Sequence, residues 1–342
     1  ITVEGSVAST GSDYAGGIAG FNAGTIENVT NRAAVSAASG YNVAGIAGYN
    51  QGTVRDSANA ASITGTGKTA GIAGENSGTI TGCVNAGPVS SSAAKKAGIG
   101  GIVGRNGTQG GTKDVPTYDA GIINACINTA PVTSGGDYWT GGIAGINYPG
   151  SDIKGCYNLG AVTSGGDYYA ICGQNEGVVD TACYLQNYTG VRKGAYNANG
   201  GTSTGVLGLK AEGFLDPSIV ADLNTAAGGS EFTETKESGG MAVASGYPCL
   251  SWQTQHTVYL YAAGSSVSVA AGDLLPVLLP KVNGKTVGAC YSDEDMETAF
   301  DISTPIASDI ALYIWWSTEG QTVYTVTFDL NGAVGTAPAD KP

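Results

Sequence analysis

Through the first 185 residues the apolar positions recur with a long period. An isoleucine set between small residues returns six times: Gly17-Ile-Ala-Gly20, Gly45-Ile-Ala-Gly48, Gly71-Ile-Ala-Gly74, Gly101-Ile-Val-Gly104, Gly142-Ile-Ala-Gly145 and a degenerate Ala170-Ile-Cys-Gly173. The starts lie 28, 26, 30, 41 and 28 residues apart. Two positions after each final glycine stands an asparagine: Asn22, Asn50, Asn76, Asn106, Asn147 and Asn175. An apolar residue follows at Ile26, Val54, Ile80, Ile123, Ile153 and Val179. A small or thiol position comes next, assigned to Val29, Ser57, Cys83, Cys126, Cys156 and Cys183. Five units add a second asparagine, at Asn31, Asn59, Asn85, Asn128 and Asn158. The long interval of 41 is taken up by Gly107–Ala120, read as a loop inserted into the fourth unit.

A unit this short cannot bury a core alone, so neighbours must stack. Short β-prone runs separated by Gly and Asn predict one coil of a parallel β-helix. Glycine permits left-handed corners, and Asn tolerates them better than most residues. Equivalent residues then sit about 4.8 Å apart on successive coils, and stacked asparagines can hydrogen-bond as ladders. The fold expected is mainly β: a β-solenoid of about six coils over 1–185, making a rod of about 29 Å.

After Leu185 the period stops. The segment 186–254 reads as a small mixed cap. Its helix signal lies within Leu209–Leu223, with Asp216 as N-cap, Pro217 at the first helical position, and Ile219, Val220 and Leu223 on one face. An open solenoid end exposes core and unpaired edges, and the cap is expected to cover them. Residues 255–321 alternate short apolar strands with turns, as a β-rich module, and 322–342 read as the start of a second one.

Composition narrows the function classes. Of 342 residues 56 are Gly and 13% are charged, with 15 Lys+Arg against 28 Asp+Glu for a net charge of −13. Nothing here would neutralise nucleic-acid phosphates. The Gly content disfavours long helices. No run approaches the roughly 18 apolar residues of a membrane helix; the most apolar stretch, Leu274-Leu-Pro-Val-Leu-Leu-Pro280, is short and proline-bracketed. The strand-like opening Ile1–Val7 and the bare Asp340-Lys-Pro342 end read as a piece cut from a longer protein.

The motif Gly-Ile-Ala-Gly-x-Asn-x-Gly-Thr-Ile with a downstream Cys-x-Asn resembles the GLUG repeat of bacterial cell-surface adhesins and of non-catalytic regions of some IgA-specific metalloproteases. Gly246-Tyr-Pro-Cys-Leu-Ser-Trp-Gln253 resembles the segment that commonly ends such arrays. Phe300-Asp-Ile-Ser-Thr-Pro-Ile-Ala-Ser-Asp-Ile-Ala-Leu-Tyr313 resembles the end of an internalin B-type repeat, a β-grasp-like module, although Ala289-Cys-Tyr291 replaces its usual Gly-Trp-Tyr. Thr322–Gly332 resembles the start of a second copy. These resemblances imply an extracellular bacterial protein, on the cell surface or attached to the wall.

Candidate chemistry is sparse. The single histidine, His256, has no nucleophile elbow beside it, and an HExxH zinc motif needs two; no catalytic residue is assigned. Seven cysteines without CxxC pairs argue against a zinc site. Four of them, Cys83, Cys126, Cys156 and Cys183, are placed in one core column as free thiols, because rungs about 4.8 Å apart exceed the roughly 3.8 Å Cβ separation that a disulfide favours. Asp137 and Asp167, in repeated Thr-Ser-Gly-Gly-Asp-Tyr segments, could hold Ca²⁺ through oxygen ligands or be solvated turn residues; otherwise no cofactor is indicated. Asp293-Glu-Asp295 is a similar acidic turn. Tyr14, Tyr41, Tyr138, Trp139, Tyr168 and Tyr169 gather on one predicted edge, either as a platform for sugar rings or a protein partner or as plain edge cover. The insertion, with Lys113, Asp114 and Tyr118, is the other candidate surface.

Three functions follow. The first is a non-enzymatic cell-surface adhesin or stalk presenting a surface to a host or bacterial glycan or protein. The second is a carbohydrate-active β-helix lyase or hydrolase, which needs clustered carboxylates beside a basic residue. The four arginines, Arg32, Arg55, Arg105 and Arg192, are not expected to stack with acids by repeat position, and a −13 chain repels anionic glycans. The third is a non-catalytic fragment of a surface IgA-type metalloprotease. Ligand and oligomeric state are not legible in the sequence.

Overall fold

In the computed structural model the described residues are 1–11, 13–39, 41–92, 97–112, 114–136, 139–166, 168–186, 194–210, 213–214, 216–233, 243–244, 248–253, 255–261, 265–270, 285–301 and 310–318. They fall into two compact units, one within 1–233 and 248–252, the other within 234–247 and 253–342.

The first unit is a parallel β-solenoid. Each of the first six coils contributes short strands to four sheets, one of them 12-stranded, two 6-stranded and one 7-stranded. Pairing is parallel and in register from coil to coil, so that Val54 lies between Ile26 and Ile80, and Asn50 between Asn22 and Asn76. The motif isoleucines Ile46, Ile72, Ile102, Ile143 and Ile171 and the second apolar column Val54, Ile80, Ile123, Ile153 and Val179 are fully buried in one core. Each such side chain contributes about 1.5–3 kcal/mol by leaving water.

Two buried asparagine ladders run along the axis. In the first, Nδ2 of Asn22, Asn50, Asn76, Asn106, Asn147 and Asn175 donates to Oδ1 of the asparagine one coil on, ending at Asn197, at 2.7–2.8 Å. The second links Asn31, Asn59, Asn85, Asn128 and Asn158 at 2.7–2.9 Å. The same amides donate to backbone carbonyls, as Asn31 does to Ala33. The motif's first glycine exists for this second ladder: a Cβ on Gly17 would fall 2.6 Å from Asn31 Oδ1, and Gly45, Gly71, Gly101 and Gly142 meet their own ladder asparagines likewise. In the sixth coil Ala170 replaces this glycine, and Tyr184 occupies the rung after Asn158. Both partners change together.

Seven coils each carry one left-handed residue at the same bend: Asn28, Asp56, Gly82, Ala125, Gly155, Thr181 and Gly205. Only three are glycine; among the described residues many other glycines sit where a Cβ would fall within 3 Å of a neighbouring backbone, as at Gly16, Gly48 and Gly52. The residue after the bend closes it. Ser57 Oγ donates to the Arg55 carbonyl, and the thiols of Cys83, Cys126 and Cys156 donate to the carbonyls of Thr81, Asn124 and Lys154, at 2.7–3.3 Å. Ala182, not Cys183, continues this column, because Cys156 pairs with Ala182 and Tyr157 with Cys183. The four-cysteine column is thus a column of three.

The solenoid has about seven turns, one more than the motif predicts. Strands Ala195–Asn197 and Thr202–Leu209 continue two sheets, and Val206 extends the bend column. The inserted segment is a β-hairpin, Thr108–Gly111 against Pro116–Asp119. The helix runs Pro217–Ala227, with Asp216 accepting from the Ser218 amide and Gly228 left-handed at its end. It lies along the flank of the coils: its Ala227 carbonyl accepts from Asn124, Trp252 Nε1 donates to the Gly82 carbonyl, Tyr157 donates to the Pro248 carbonyl, and Phe214 and Phe232 pack on the Tyr157 ring. These described residues pack against the side of coils three to six.

The second unit contains a five-stranded mixed sheet in which Gln255–Tyr261 lies antiparallel to Ser265–Ala270 and parallel to Ile310–Thr318, with Lys285–Tyr291 at one edge. In its acidic turn, Asp293 accepts from the amides of Glu297 and Thr298, a turn closure. Residues 322–342 lie outside the described residues.

Replacing Asn85 by Ala removes one ladder donor and one acceptor and leaves Asn128 Oδ1 short of its partner. The expected loss is about 3 kcal/mol, read by urea or thermal unfolding, against at most about 0.5 kcal/mol for the exposed Thr133→Ala. All seven cysteines are free and buried, and burial pushes the Cys183 thiol up to about 12 and raises those of Cys126 and Cys156. Thiol titration at neutral pH should find the native protein inert and all seven reactive after unfolding without reductant; a missing pair would reveal a disulfide.

Candidate functional site

The motif's second glycine builds a seam between two sheets. A Cβ on Gly48 would fall 2.7 Å from the Gly20 carbonyl and 2.8 Å from the Ala15 amide, so here strand backbones press on each other without intervening side chains. Along this seam the residue between glycine and asparagine in each motif forms one column: Phe21, Tyr49, Glu75, Arg105, Ile146 and Gln174. Tyr14, Asn42 and Lys68 form the facing column.

The two columns interlock. On the first two coils Tyr14 stacks on Tyr49 with centroids 5.7 Å apart and meets Phe21 at 6.5 Å, while Phe21 meets Tyr49 edge-on at 5.5 Å. Tyr49 Oη shares a hydrogen bond with Ser77 and accepts from Gln51. On the third coil Glu75 Oε2 accepts from Lys68 Nζ of the same coil and from Asn42 Nδ2 of the second, at 2.5 and 3.0 Å. The Lys68 ammonium also lies 5.0 Å from the Tyr41 ring centroid, within cation–π range. Burial lowers the Lys68 pKa, and the Glu75 carboxylate opposes that shift. One coil on, the Arg105 guanidinium lies 6.0 Å from the Tyr148 ring, which Tyr118 of the hairpin contacts at 5.6 Å. Burial raises the Tyr148 hydroxyl pKa.

The candidates read from sequence are dispersed by this geometry. Tyr14, 41% exposed, and Tyr41, 59% exposed, belong to the seam. Trp139 is half-buried in the Tyr14 column but four rungs away, about 19 Å. Tyr168 is half-buried in the adjoining column, in line with Thr140. Tyr169 is only 6% exposed and stacks on Tyr196. These rings therefore do not form a single strip. Tyr118 is engaged with Tyr148, and Asp114 is exposed. Tyr138, Asp137, Asp167 and Lys113 lie outside the described residues, as does the side chain of His256. The arginine expectation is overturned: Arg55 pairs with Glu27, and Arg105 sits in register with Glu75, because each falls at the same motif position as an acid one coil away. The sequence reasoning missed Phe21, Tyr49, Asn42, Lys68 and Glu75. The signal for three of them was the variable residue between Gly and Asn in the motif.

No family model and no curated protein matches the chain. Among solved structures, a "putative immunoglobulin A1 protease from Bacteroides ovatus" is similar at 20% identity with a TM-score of 0.50, over 73% of this chain and 75% of that one. At that identity the likeness concerns the fold, a mainly β architecture.

Removing one partner of the Lys68–Glu75 pair strands a charge at a site where both side chains are nearly buried. Lys68→Met should cost about 3 kcal/mol. The double change Lys68→Met with Glu75→Leu should recover most of that loss, as a double-mutant cycle on unfolding free energies would show.

Proposed function

We propose that this chain is a non-enzymatic part of a bacterial cell-surface protein, an adhesin or stalk whose solenoid presents a binding surface to a glycan or protein outside the cell. The observation that carries this reading is the aromatic group of exposed Tyr14 and Phe21 with half-buried Tyr49, on a scaffold whose register is fixed by two side-chain ladders. Half-exposed aromatic rings grouped on a rigid frame suit recognition. The charged pair that a lyase would use, Lys68 with Glu75, is spent on itself. The resemblance of the coils to GLUG repeats, and of the second unit to a β-grasp-like internalin B-type module, supports the extracellular placement.

A second reading, a non-catalytic segment of a surface protease, draws on the fold likeness to the protein described as an immunoglobulin A1 protease. Sequence flanking the chain separates the two: a wall-sorting signal favours the adhesin, a zinc-protease motif the protease.

The intact chain should bind at least one member of a combined array of host glycans and extracellular-matrix proteins. It should release no products from acidic or neutral polysaccharides. Turnover of any polysaccharide would overturn the non-enzymatic reading.

A further inference from the structure

We propose that the seam on coils one to three is a subsite for a neutral pyranose ring, with Tyr14, Phe21 and Tyr49 as the apolar platform and Asn42 and Glu75 as its hydroxyl acceptors. This rests on the surface-binding reading above and gives it a place and a ligand class.

Two independent observations meet here. The first is the aromatic group itself. Phe21 is 49% and Tyr14 41% exposed on adjacent rings, an arrangement that leaves apolar area in water. The electron-rich face of such a ring attracts the weakly positive C–H face of a sugar, and stacking removes apolar area from both.

The second is a buried acceptor without a donor. Asn42 is 1% exposed, and its Oδ1 has no hydrogen-bond partner. The amide orientation is fixed by chemistry, because Nδ2 donates to Glu75 Oε2, and a carboxylate cannot face the amide oxygen instead. Leaving such an acceptor unmet costs about 1–3 kcal/mol. Asn42 lies between Tyr14 and Lys68 in the seam column, so the orphan oxygen adjoins the aromatic group. Glu75 Oε2 is occupied by Lys68 and Asn42, and its Oε1 takes no bond among the described residues. The subsite therefore offers acceptors and asks for donors. A polyol supplies them; an anionic sugar does not, since Lys68 is already paired with Glu75, the neighbouring Arg105 lies against the Tyr148 ring, and the chain carries −13 overall.

The test prints mannose-, galactose-, glucose- and N-acetylglucosamine-terminated oligosaccharides beside sialylated and sulfated counterparts. The full chain is then titrated calorimetrically with the strongest binder. Expected are saturable binding of a neutral glycan and an affinity loss of at least about tenfold in Phe21→Ala and in Tyr14→Ala, each measured well below its own unfolding midpoint so that the variant compared is folded. Asn42→Ala should also weaken binding, with stability measured alongside. Binding that survives Phe21→Ala and Tyr14→Ala overturns this subsite while leaving a glycan-binding surface elsewhere on the chain. Preference for sialylated or sulfated glycans overturns the neutral class. If no glycan binds, water alone satisfies Asn42 and the subsite is refuted; the surface reading then stands only if a matrix protein on the same array is retained.

Discussion

A buried carboxamide has two donors and an acceptor to satisfy, and a stack of parallel coils can satisfy them only if every coil repeats the same residue at the same height. That requirement organises the solenoid. Each ladder asparagine passes a hydrogen bond to the next coil, and several also hold the turn that follows through their own backbone neighbours, as Asn22 holds Gly24 and Asn128 holds Ala130. A slip of one residue would orphan the amides of a coil and expel its isoleucine from the core, so polar and apolar columns enforce the same register.

Other residue choices follow from that geometry. The motif's paired glycines are steric: one makes room for the second ladder, the other lets two sheets press together at the seam. The thiols are equally local. Cys83, Cys126 and Cys156 do in the bend what Ser57 does one coil earlier, donating to the carbonyl two residues back. Where the pattern relaxes, in the sixth coil, glycine and asparagine give way together and Cys183 turns up one position late.

The solenoid was legible because its determinants are spaced along the chain as they are spaced along the axis. The helix was legible because Asp216 and Pro217 are local signals. The seventh coil was not: it lacks the glycine motif and keeps only Asn197 and the strand Thr202–Leu209, whose partners become visible once coil six is in place. The seam was harder still. Asn42 and Glu75 are 33 residues apart and meet because two different sheets fold onto each other, a juxtaposition that a repeat alignment within one column does not encode. The edge aromatics were misgrouped for the same reason, since proximity to a predicted corner does not fix which column a side chain joins.

The proposed binding surface would inherit its rigidity from the ladders, so the ladders are the claim to test. Hydrogen exchange of the asparagine side-chain amides, followed by NMR in the native protein, reads them directly. The account predicts that the Nδ2 protons of Asn50, Asn76, Asn106 and Asn147 exchange on the timescale of the core backbone amides, through opening of the coils, far more slowly than those of the exposed Asn199. Exchange of the ladder amides as fast as at Asn199 would contradict it.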